Sequence, residues 1–287
     1  MSRRMLIIAL SLSLLSCWSE PPPIILRSQA NPEVVARGRE LVKGLAACGI
    51  CHGETPSPSS ILAGGRIIHD EYGEVQATNL TPSASGIGNW QDEEVVRAIR
   101  SSIRPGDKWI SAESHRGYEW MSDEDALAIV SYLRTLPAVD KEINRRDLSF
   151  VDRNTKGFFD SRPDIKGYVP SLDPKNVVEY GQYLTDHVAR CGGCHHSPAS
   201  LMRSEEYLAG NRIVKTDLGE KIAPSITSSR IYGLGEWNEA MIVKYLKTGL
   251  TPNGGVSDPN FCPTGFFRNA SDSDLMAIAR YLRTVPG

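Results

Sequence analysis

The sequence has little of what marks several common classes of protein. Its 287 residues carry a net charge of −2, so composition gives no basic surface of the kind that binds nucleic acid, and we expect no nucleic-acid partner. It contains no phosphate-binding loop and no nucleophile motif. Cysteine and methionine are scarce, at six residues each. With 40% apolar and 23% charged residues, the chain is nonetheless typical of a globular protein, and its length favours about two domains.

The N-terminus has the pattern of a segment that directs export. Arg3 and Arg4 precede an apolar run over 6–15 that is too short to span a bilayer as a mature helix. The run ends in Leu-Leu-Ser-Cys at Cys17, which resembles the bacterial lipobox, in which the cysteine is lipidated; the alternative is an ordinary signal peptide with an incidental cysteine. We predict a signal peptide over 1–16 and a lipidated, proline-stiffened tether over 17–30. The protein is then periplasmic and anchored to a bacterial membrane, the outer one being favoured because no aspartate follows Cys17.

Two cysteine pairs, each followed directly by a histidine, are the strongest signal in the chain. The spacing is typical of covalent haem attachment, in which two thiols form thioethers to one porphyrin and the next histidine binds the iron. A redox dithiol and half of a zinc site are the alternatives, and the presence of two copies favours haem. We therefore predict two covalently attached haem c groups. The attaching residues are Cys48, Cys51, Cys191 and Cys194, and the proximal iron ligands are His52 and His195.

The two motifs lie in a duplicated segment. Residues 33–48 align with 176–191, and similar matches continue to the C-terminal ends of both copies. The duplication predicts two domains, over 31–140 (the first half) and 174–287 (the second half). Residues 141–173 between them carry prolines and aromatic side chains, so we expect a strap that packs on the domains, with a solvated spacer as the alternative.

The periodicity within each half is helical. Apolar positions from Val34 to Leu45 share one face of a helix that leads into the first motif. Ser122 and Ser271 each begin a capping box before a final amphipathic helix. No segment shows the alternation of a strand, and the remaining stretches are rich in Gly, Pro and Ser, so we predict an all-α fold.

At this point the chain resembles the class I cytochromes c in tandem, and most closely the cytochrome subunits of periplasmic dehydrogenases. The likeness is carried by Asn79–Pro82, Gly86–Trp90 and Met121–Asp125, and it covers both halves but not residues 141–173. The resemblance implies two cytochrome c-like domains, each wrapping one haem.

The same resemblance suggests further haem-contacting side chains. Arg66 and Arg212 are candidates to pair with haem propionates, because an arginine fork suits carboxylates. Trp90 and Trp237 are candidates to pack near the haem edge. A plain structural role stays open for both pairs.

The second axial ligands depart from the family pattern. In that family, the loop before the last helix usually supplies a methionine. In the second half that position is Cys262, our candidate distal ligand, with a buried inert thiol as the alternative. In the first half it is Glu113, a poor match for haem iron. We therefore rank His115 first, followed by Met121 and an open site, with His69 as an outside candidate.

These features favour a non-catalytic electron carrier over an enzyme. Its expected partners are other redox proteins, such as cytochromes and dehydrogenase or oxidase subunits. Cys262 supports an alternative, since cysteine-ligated haem resembles that of the thiosulfate dehydrogenases. The weak ligand set of the first half permits a dihaem peroxidase.

Overall fold

The computed structural model describes residues 26–70, 72–146, 148–152, 165, 167–199, 204–216 and 219–287. The predicted signal peptide, the predicted lipidation at Cys17 and most of the tether lie outside the described residues, as does the middle of the predicted strap. Among the described residues, no helix is both long enough and apolar enough to cross a membrane.

Each half opens with a helix that leads to its cysteine–histidine motif and closes with a helix that packs against the first. The helices of the first half are α1 (Pro32–Lys43), α2 (Gly49–His52), α3 (Asp92–Ser101), α4 (Ala112–His115) and α5 (Asp123–Arg134), with a 3₁₀ turn at Tyr118–Trp120. Those of the second half are α6 (Val177–Tyr183), continued by a π-helical turn at Leu184–Val188, α7 (Gly192–His195), α8 (Glu239–Thr248), α9 (Thr264–Phe267) and α10 (Asp272–Leu282).

A glycine allows the first and last helices of each half to touch. Gly38 of α1 lies so close to α5 that an added Cβ would stand 1.8 Å from the carbonyl oxygen of Ala128. Gly181 of α6 has the same relationship to α10, with the carbonyl oxygen of Ala277 2.0 Å from an added Cβ. Only a residue without a side chain permits this approach, and the predicted apolar face of α1 is confirmed as the face that packs on α5.

The predicted caps are present in part. Ser122 Oγ accepts a hydrogen bond from the Asp125 amide at 3.2 Å, and Ser271 Oγ accepts one from the Asp274 amide at 3.1 Å. These bonds satisfy amide donors that the first turn of a helix leaves open. The two carboxylates point elsewhere, because each binds side chains from both halves of the chain, as described below.

The prediction of an all-α fold needs correction, since the mainly helical fold also contains three antiparallel hairpins. They are formed by β1 (Ile67–Asp70) with β2 (Gly73–Gln76), β3 (Ile103–Arg104) with β4 (Lys108–Trp109), and β5 (Ile213–Thr216) with β6 (Gly219–Ile222). Their strands have at most four residues, and β6 is exposed throughout. Strands of two to four residues are too short for hydrophobic alternation to be recognised, so the periodicity did not reveal them.

The two halves share a polar contact within one continuous apolar core. Arg37 of α1 donates to Asp125 of α5 at 2.9 Å and to Asp274 of α10 at 2.5 Å. Tyr180 of α6 donates to Asp274 at 3.1 Å, and Tyr183 donates to Asp125 at 2.8 Å. Each aspartate therefore binds a side chain from its own half and one from the other half.

The two ends of the predicted strap contact the first half. Arg146 binds Asp70 of β1 through both nitrogens of its fork at 2.7 Å, and Lys141 donates to the carbonyl of Gly64 at 2.9 Å. Further along, the Val169 carbonyl accepts from the Asp123 amide at 2.9 Å. The described parts of 141–173 are therefore joined to the first half by specific bonds.

Candidate haem-binding sites

The first motif ends the loop after α1 and forms the single turn of α2. Cys48 and Cys51 carry free thiols and lie one helical turn apart. The Nδ1 atom of His52 lies 2.7 Å from the carbonyl oxygen of Thr78. Because a carbonyl can only accept, Nδ1 must donate, which leaves the lone pair on Nε2 for a metal. The amide of Gly64 donates to the His52 carbonyl at 2.9 Å, so the backbone is held as well.

The second motif is built in the same way on α7. Cys191 and Cys194 are free thiols, and His195 Nδ1 donates to the carbonyl of Pro224 at 2.8 Å. The Gly210 amide donates to the His195 carbonyl at 2.7 Å. A ligating histidine is usually oriented by just such a bond from its other ring nitrogen.

Burial sets the protonation states of both motifs. It raises the pKa of Cys48 to about 12 and also raises the pKa of Cys191 above its usual value. It lowers the pKa of His52 and of His195, although the carbonyl bonds partly oppose this. Both imidazoles are therefore neutral at pH 7, and neutral imidazole is the form that binds a metal.

The ring of His115 lies near that of His52, at a distance compatible with one metal ion bound to both. The ring centres of His52 and His115 are 6.4 Å apart, with a tilt of 40° between the ring planes. Two metal–nitrogen bonds of about 2 Å each, together with the nitrogen-to-centre distances within the rings, span roughly 6 Å. His115 Nδ1 bonds the carbonyl of Ala98 at 2.8 Å, so the ring has only Nε2 to offer to a metal. We call Cys48, Cys51, His52 and His115 the first site.

Cys262 lies near the second motif. Its thiol is within electrostatic range of Cys191 and Cys194, and it is hydrogen-bonded to Tyr245. The hydroxyl of Tyr245 is also 3.1 Å from Ser257 Oγ. Burial raises the pKa of Cys262 to about 11, and the Tyr245 bond opposes that rise. We call Cys191, Cys194, His195 and Cys262 the second site.

The other ligand candidates occupy different surroundings. His69 lies on β1 with an exposed side chain, 3.5 Å from Glu74 across the hairpin, and is not brought to His52. Met121 is fully buried in the apolar core immediately before α5.

The two candidate arginines hold the motif helices. Arg66 Nη1 donates to the carbonyl of Ile50 at 2.7 Å. Arg212 Nε donates to the carbonyl of His196 at 3.1 Å, and its Nη2 donates to Glu205 at 2.7 Å. These bonds give both arginines a positioning role beside the motifs, and their pairing with haem propionates stays a prediction.

The two candidate tryptophans are half-buried against the core. The carbonyl of Trp90 accepts from Arg134 at 2.6 Å, and that of Trp237 accepts from Arg283 at 2.5 Å. The Trp237 ring contacts the Tyr245 ring edge-on, with 5.5 Å between the ring centres, and Tyr245 contacts Cys262. Trp237 is therefore tied to the second site through Tyr245.

The donor set fits haem better than a zinc site. Within the ranges that the structure describes, no group of three or more His, Cys, Asp or Glu side chains is arranged to hold a metal ion. Each motif instead offers two thiols and one anchored imidazole, which is the set that covalent haem requires.

Two residues beside the first site were missed by sequence reasoning. Tyr118 donates to the carbonyl of Ala46 at 2.8 Å, and its ring meets His115 at 6.0 Å. Arg190 stacks on the Tyr118 ring from the second half. The available signal was a difference between the aligned copies, since Arg190 stands before Cys191 where Ala47 stands before Cys48.

Comparison with known proteins gives a consistent result. Residues 35–137 match the Cytochrome c family. The chain is 32% identical to the fructose dehydrogenase cytochrome subunit of Gluconobacter japonicus over 93% of its own length and 55% of that protein. It is 30% identical to the cytochrome c subunit of the quinone alcohol dehydrogenase of Gluconobacter oxydans, over 90% of the chain and 56% of that protein. The chain thus spans little more than half of these relatives.

A relative of similar extent is the diheme cytochrome c-type protein of Cereibacter sphaeroides, which is 25% identical over 90% of both chains. A cytochrome c domain carries covalently bound haem c, in agreement with the thiols and anchored imidazole of the first motif. The chain belongs to the c-type cytochromes and is similar to those that serve dehydrogenases as cytochrome subunits.

Proposed function

We propose that the protein is a dihaem c-type cytochrome that carries electrons between redox partners on the periplasmic side of a bacterial membrane, as the electron-transfer subunit of a dehydrogenase. The observation that carries the proposal is the repeated geometry of the motifs. In both, two free thiols precede a histidine whose Nδ1 is bonded to a backbone carbonyl. The relatives named as dehydrogenase subunits support the choice of partner.

The residues of each site hold and orient the cofactor. Bound haem supplies one-electron exchange between ferrous and ferric iron. His52 and His115 would hold one haem iron, and His195 with Cys262 would hold the other. Two protein ligands for each iron would suit a carrier. Arg66 and Arg212 keep the motif backbones in place.

The proposal includes the domain organisation and the location drawn from the sequence. The cytochrome c domains are 31–140 and 174–287, joined by the strap over 141–173. A signal peptide over 1–16 exports the chain, and lipid on Cys17 anchors it to the membrane. A Cys17→Ala variant tests the lipid anchor. We expect it to lose membrane association and labelling by radioactive palmitate and to keep its haem content.

The central experiment measures haem content and redox state in the purified mature protein. We expect a mass increment of two haem groups, low-spin spectra at both sites in the oxidised protein, and two one-electron steps in a spectroelectrochemical titration. Reduction by a dehydrogenase with its substrate then tests the proposed role. A single haem, or a protein that no such dehydrogenase reduces, would contradict the proposal.

Cys262 supports a second candidate function. Its position beside the second motif suits a thiolate-ligated haem, and such a haem resembles that of the thiosulfate dehydrogenases. Turnover of thiosulfate with an artificial electron acceptor, abolished by Cys262→Ser, would favour this enzyme over the carrier. The position of His115 opposite His52 gives less support to a peroxidase, which needs an open iron. Absence of peroxide turnover tests that point.

A further inference from the structure

Arg190 directly precedes the second motif in sequence, but its side chain lies beside the first site. It directly precedes Cys191, and its φ of +52° lies in the left-handed region, which is unfavourable for a residue with a side chain. Its Nη1 donates to the carbonyl of Ser114 at 2.9 Å and to that of Arg116 at 3.3 Å. The guanidinium carbon lies 4.0 Å from the centre of the Tyr118 ring.

The guanidinium of Arg190 has a donor without a hydrogen-bond partner among the described residues. Arg190 Nε is buried and lacks a hydrogen-bond partner among the described residues, and no carboxylate of the described residues forms an ion pair with it. A buried charged donor without an acceptor is costly, so such groups usually face a ligand or an electron-rich surface. The stack on Tyr118 supplies part of this stabilisation through the negative face of the ring.

The positive charge of Arg190 acts on thiols of both sites. Burial raises the pKa of the thiols of Cys48, Cys51 and Cys194, and the charge of Arg190 opposes that rise at all three. The same guanidinium is therefore within electrostatic range of the attachment points of both motifs. Tyr118, which it covers, also contacts His115.

The aligned position in the first half carries an alanine, not an arginine. Ala47 occupies the aligned position before Cys48 and has a similar φ of +47°. Near the first motif, the second half contributes the apolar side chain of Phe266, which packs on Gly49. The aligned positions before the two motifs therefore differ in charge, with an arginine before Cys191 and an alanine before Cys48.

We propose that Arg190 is a positioning residue that raises the reduction potential of the first site. The inference rests on the proposed function, since it needs haem at both motifs. When the first site accepts one electron, ferric iron becomes ferrous and the site loses one positive charge. A fixed cation held in a low-dielectric surrounding favours that change. Arg190 is half-buried and its Nε is shielded from solvent, so screening of its charge is reduced.

The test compares neutral and charged substitutions in the intact dihaem protein. Arg190→Gln removes the charge, Arg190→Met does so without a polar group in case the glutamine variant does not fold, and Arg190→Lys keeps the charge. Arg116→Gln is the matched control, because it removes an exposed cation from the segment whose backbone carbonyls Arg190 contacts. Spectroelectrochemical titration gives both potentials, and electron paramagnetic resonance assigns them by their different ligands.

We expect the neutral variants to lower the electron affinity of the first site about tenfold, which is 59 mV for one electron. Arg190→Lys should stay within about twofold of the parent, and Arg116→Gln should be unchanged. Two haems per chain with an unshifted first potential in the neutral variants would overturn the role of Arg190 and leave the proposed function intact. Fewer than two haems in the parent protein would overturn both.

Discussion

Arg37 donates to Asp274 across 237 positions of the chain, at 2.5 Å, and so joins the first helix of one half to the last helix of the other. Both carboxylates that Arg37 contacts are shielded from solvent, and the side chain of Asp274 is only 7% exposed. Burial disfavours the charge of Arg37, but Asp125 and Asp274 together raise its pKa above the usual value. The contact is therefore an ion pair at every pH at which the protein is folded with its carboxylates ionised.

Replacing Arg37 by methionine should destabilise the holoprotein by about 2–4 kcal/mol, because Asp125 and Asp274 would be left as buried charges without their partner. Urea unfolding at pH 7 measures the change. The control is Arg97→Gln, which removes an exposed ion pair with Asp107 and should cost less than about 1 kcal/mol. Equal losses in the two variants would contradict the interpretation of Arg37 as the main link between the halves.

Gly38→Ala should destabilise the protein by about 1–3 kcal/mol or more, because the new methyl group must push α5 away from α1. The relevant obstacles are backbone atoms of Ala128, which cannot rotate aside. Thermal unfolding measures the loss.

Gly265→Ala provides the control for this substitution. Gly265 lies within α9 and has no neighbour within 4 Å of an added Cβ. We expect that variant to be neutral or more stable by up to about 1 kcal/mol, as for alanine in an open helix. A Gly38→Ala protein as stable as the control would show that the two helices are farther apart than described.

Asp92 should contribute stability that is lost in acid. Burial alone would raise its pKa, but the bonds from Ser28 and Arg134 outweigh this and lower it below 3.8. The contribution is present above the pKa of the unfolded state and is lost as the pH falls through the folded-state value. Asp92→Asn should be less stable than the parent by about 1–2 kcal/mol at pH 7.

The pH series gives the decisive measurement for Asp92. The difference between Asp92→Asn and the parent should decrease as the pH falls below about 4. A difference independent of pH from 7 to 3 would mean that the charge of Asp92 does not matter. Asp107→Asn, at a side chain that is 81% exposed, should show little difference at any pH.

His115→Ala should open one coordination position at the first site. We expect a high-spin component in the oxidised spectrum, binding of an external ligand such as imidazole or cyanide, and an unchanged mass increment for haem. Restoration of the low-spin spectrum by added imidazole would distinguish loss of a ligand from local unfolding. His69→Ala is the control, and a low-spin spectrum in both variants would exclude His115 as a ligand.

Cys262→Met should raise the potential of the second site, because a thioether favours ferrous iron whereas a thiolate favours ferric iron. The parent protein should lack the near-infrared band of methionine ligation at this site, and the variant should gain it. Cys262→Ser tests the alternative of an inert thiol, for which neither the spectrum nor the potential would change.

The features predicted from the sequence are those encoded by neighbouring residues. The haem motifs, the apolar face of α1 and the caps at Ser122 and Ser271 each depend on spacings of a few positions. Counting back from the final helix, which the capping boxes locate, gives Cys262 in the second half and Glu113 in the first, and His115 was chosen as a candidate because it lies two residues after Glu113. The duplication also makes Gly38 and Gly181 recognisable as equivalent.

The features that escaped prediction depend on distant contacts or on weak local patterns. Nothing beside Arg37 or Tyr183 in the chain indicates that they bind carboxylates of the opposite half. Arg190 has a visible difference from Ala47, but its stack on Tyr118 follows only from the way the halves meet. The hairpins were missed because their strands, of two to four residues, are too short to show a periodicity.

The crossed bonds at Asp125 and Asp274 have a consequence for the relationship between the two copies. Arg37 and Tyr180 occupy aligned positions in the two copies and are hydrogen-bonded to each other, and the two aspartates are aligned as well. Contact between equivalent positions is the relationship found at the two-fold axis of a symmetric dimer. The two copies of the duplicated segment therefore meet as the subunits of such a dimer do, although they are parts of one chain.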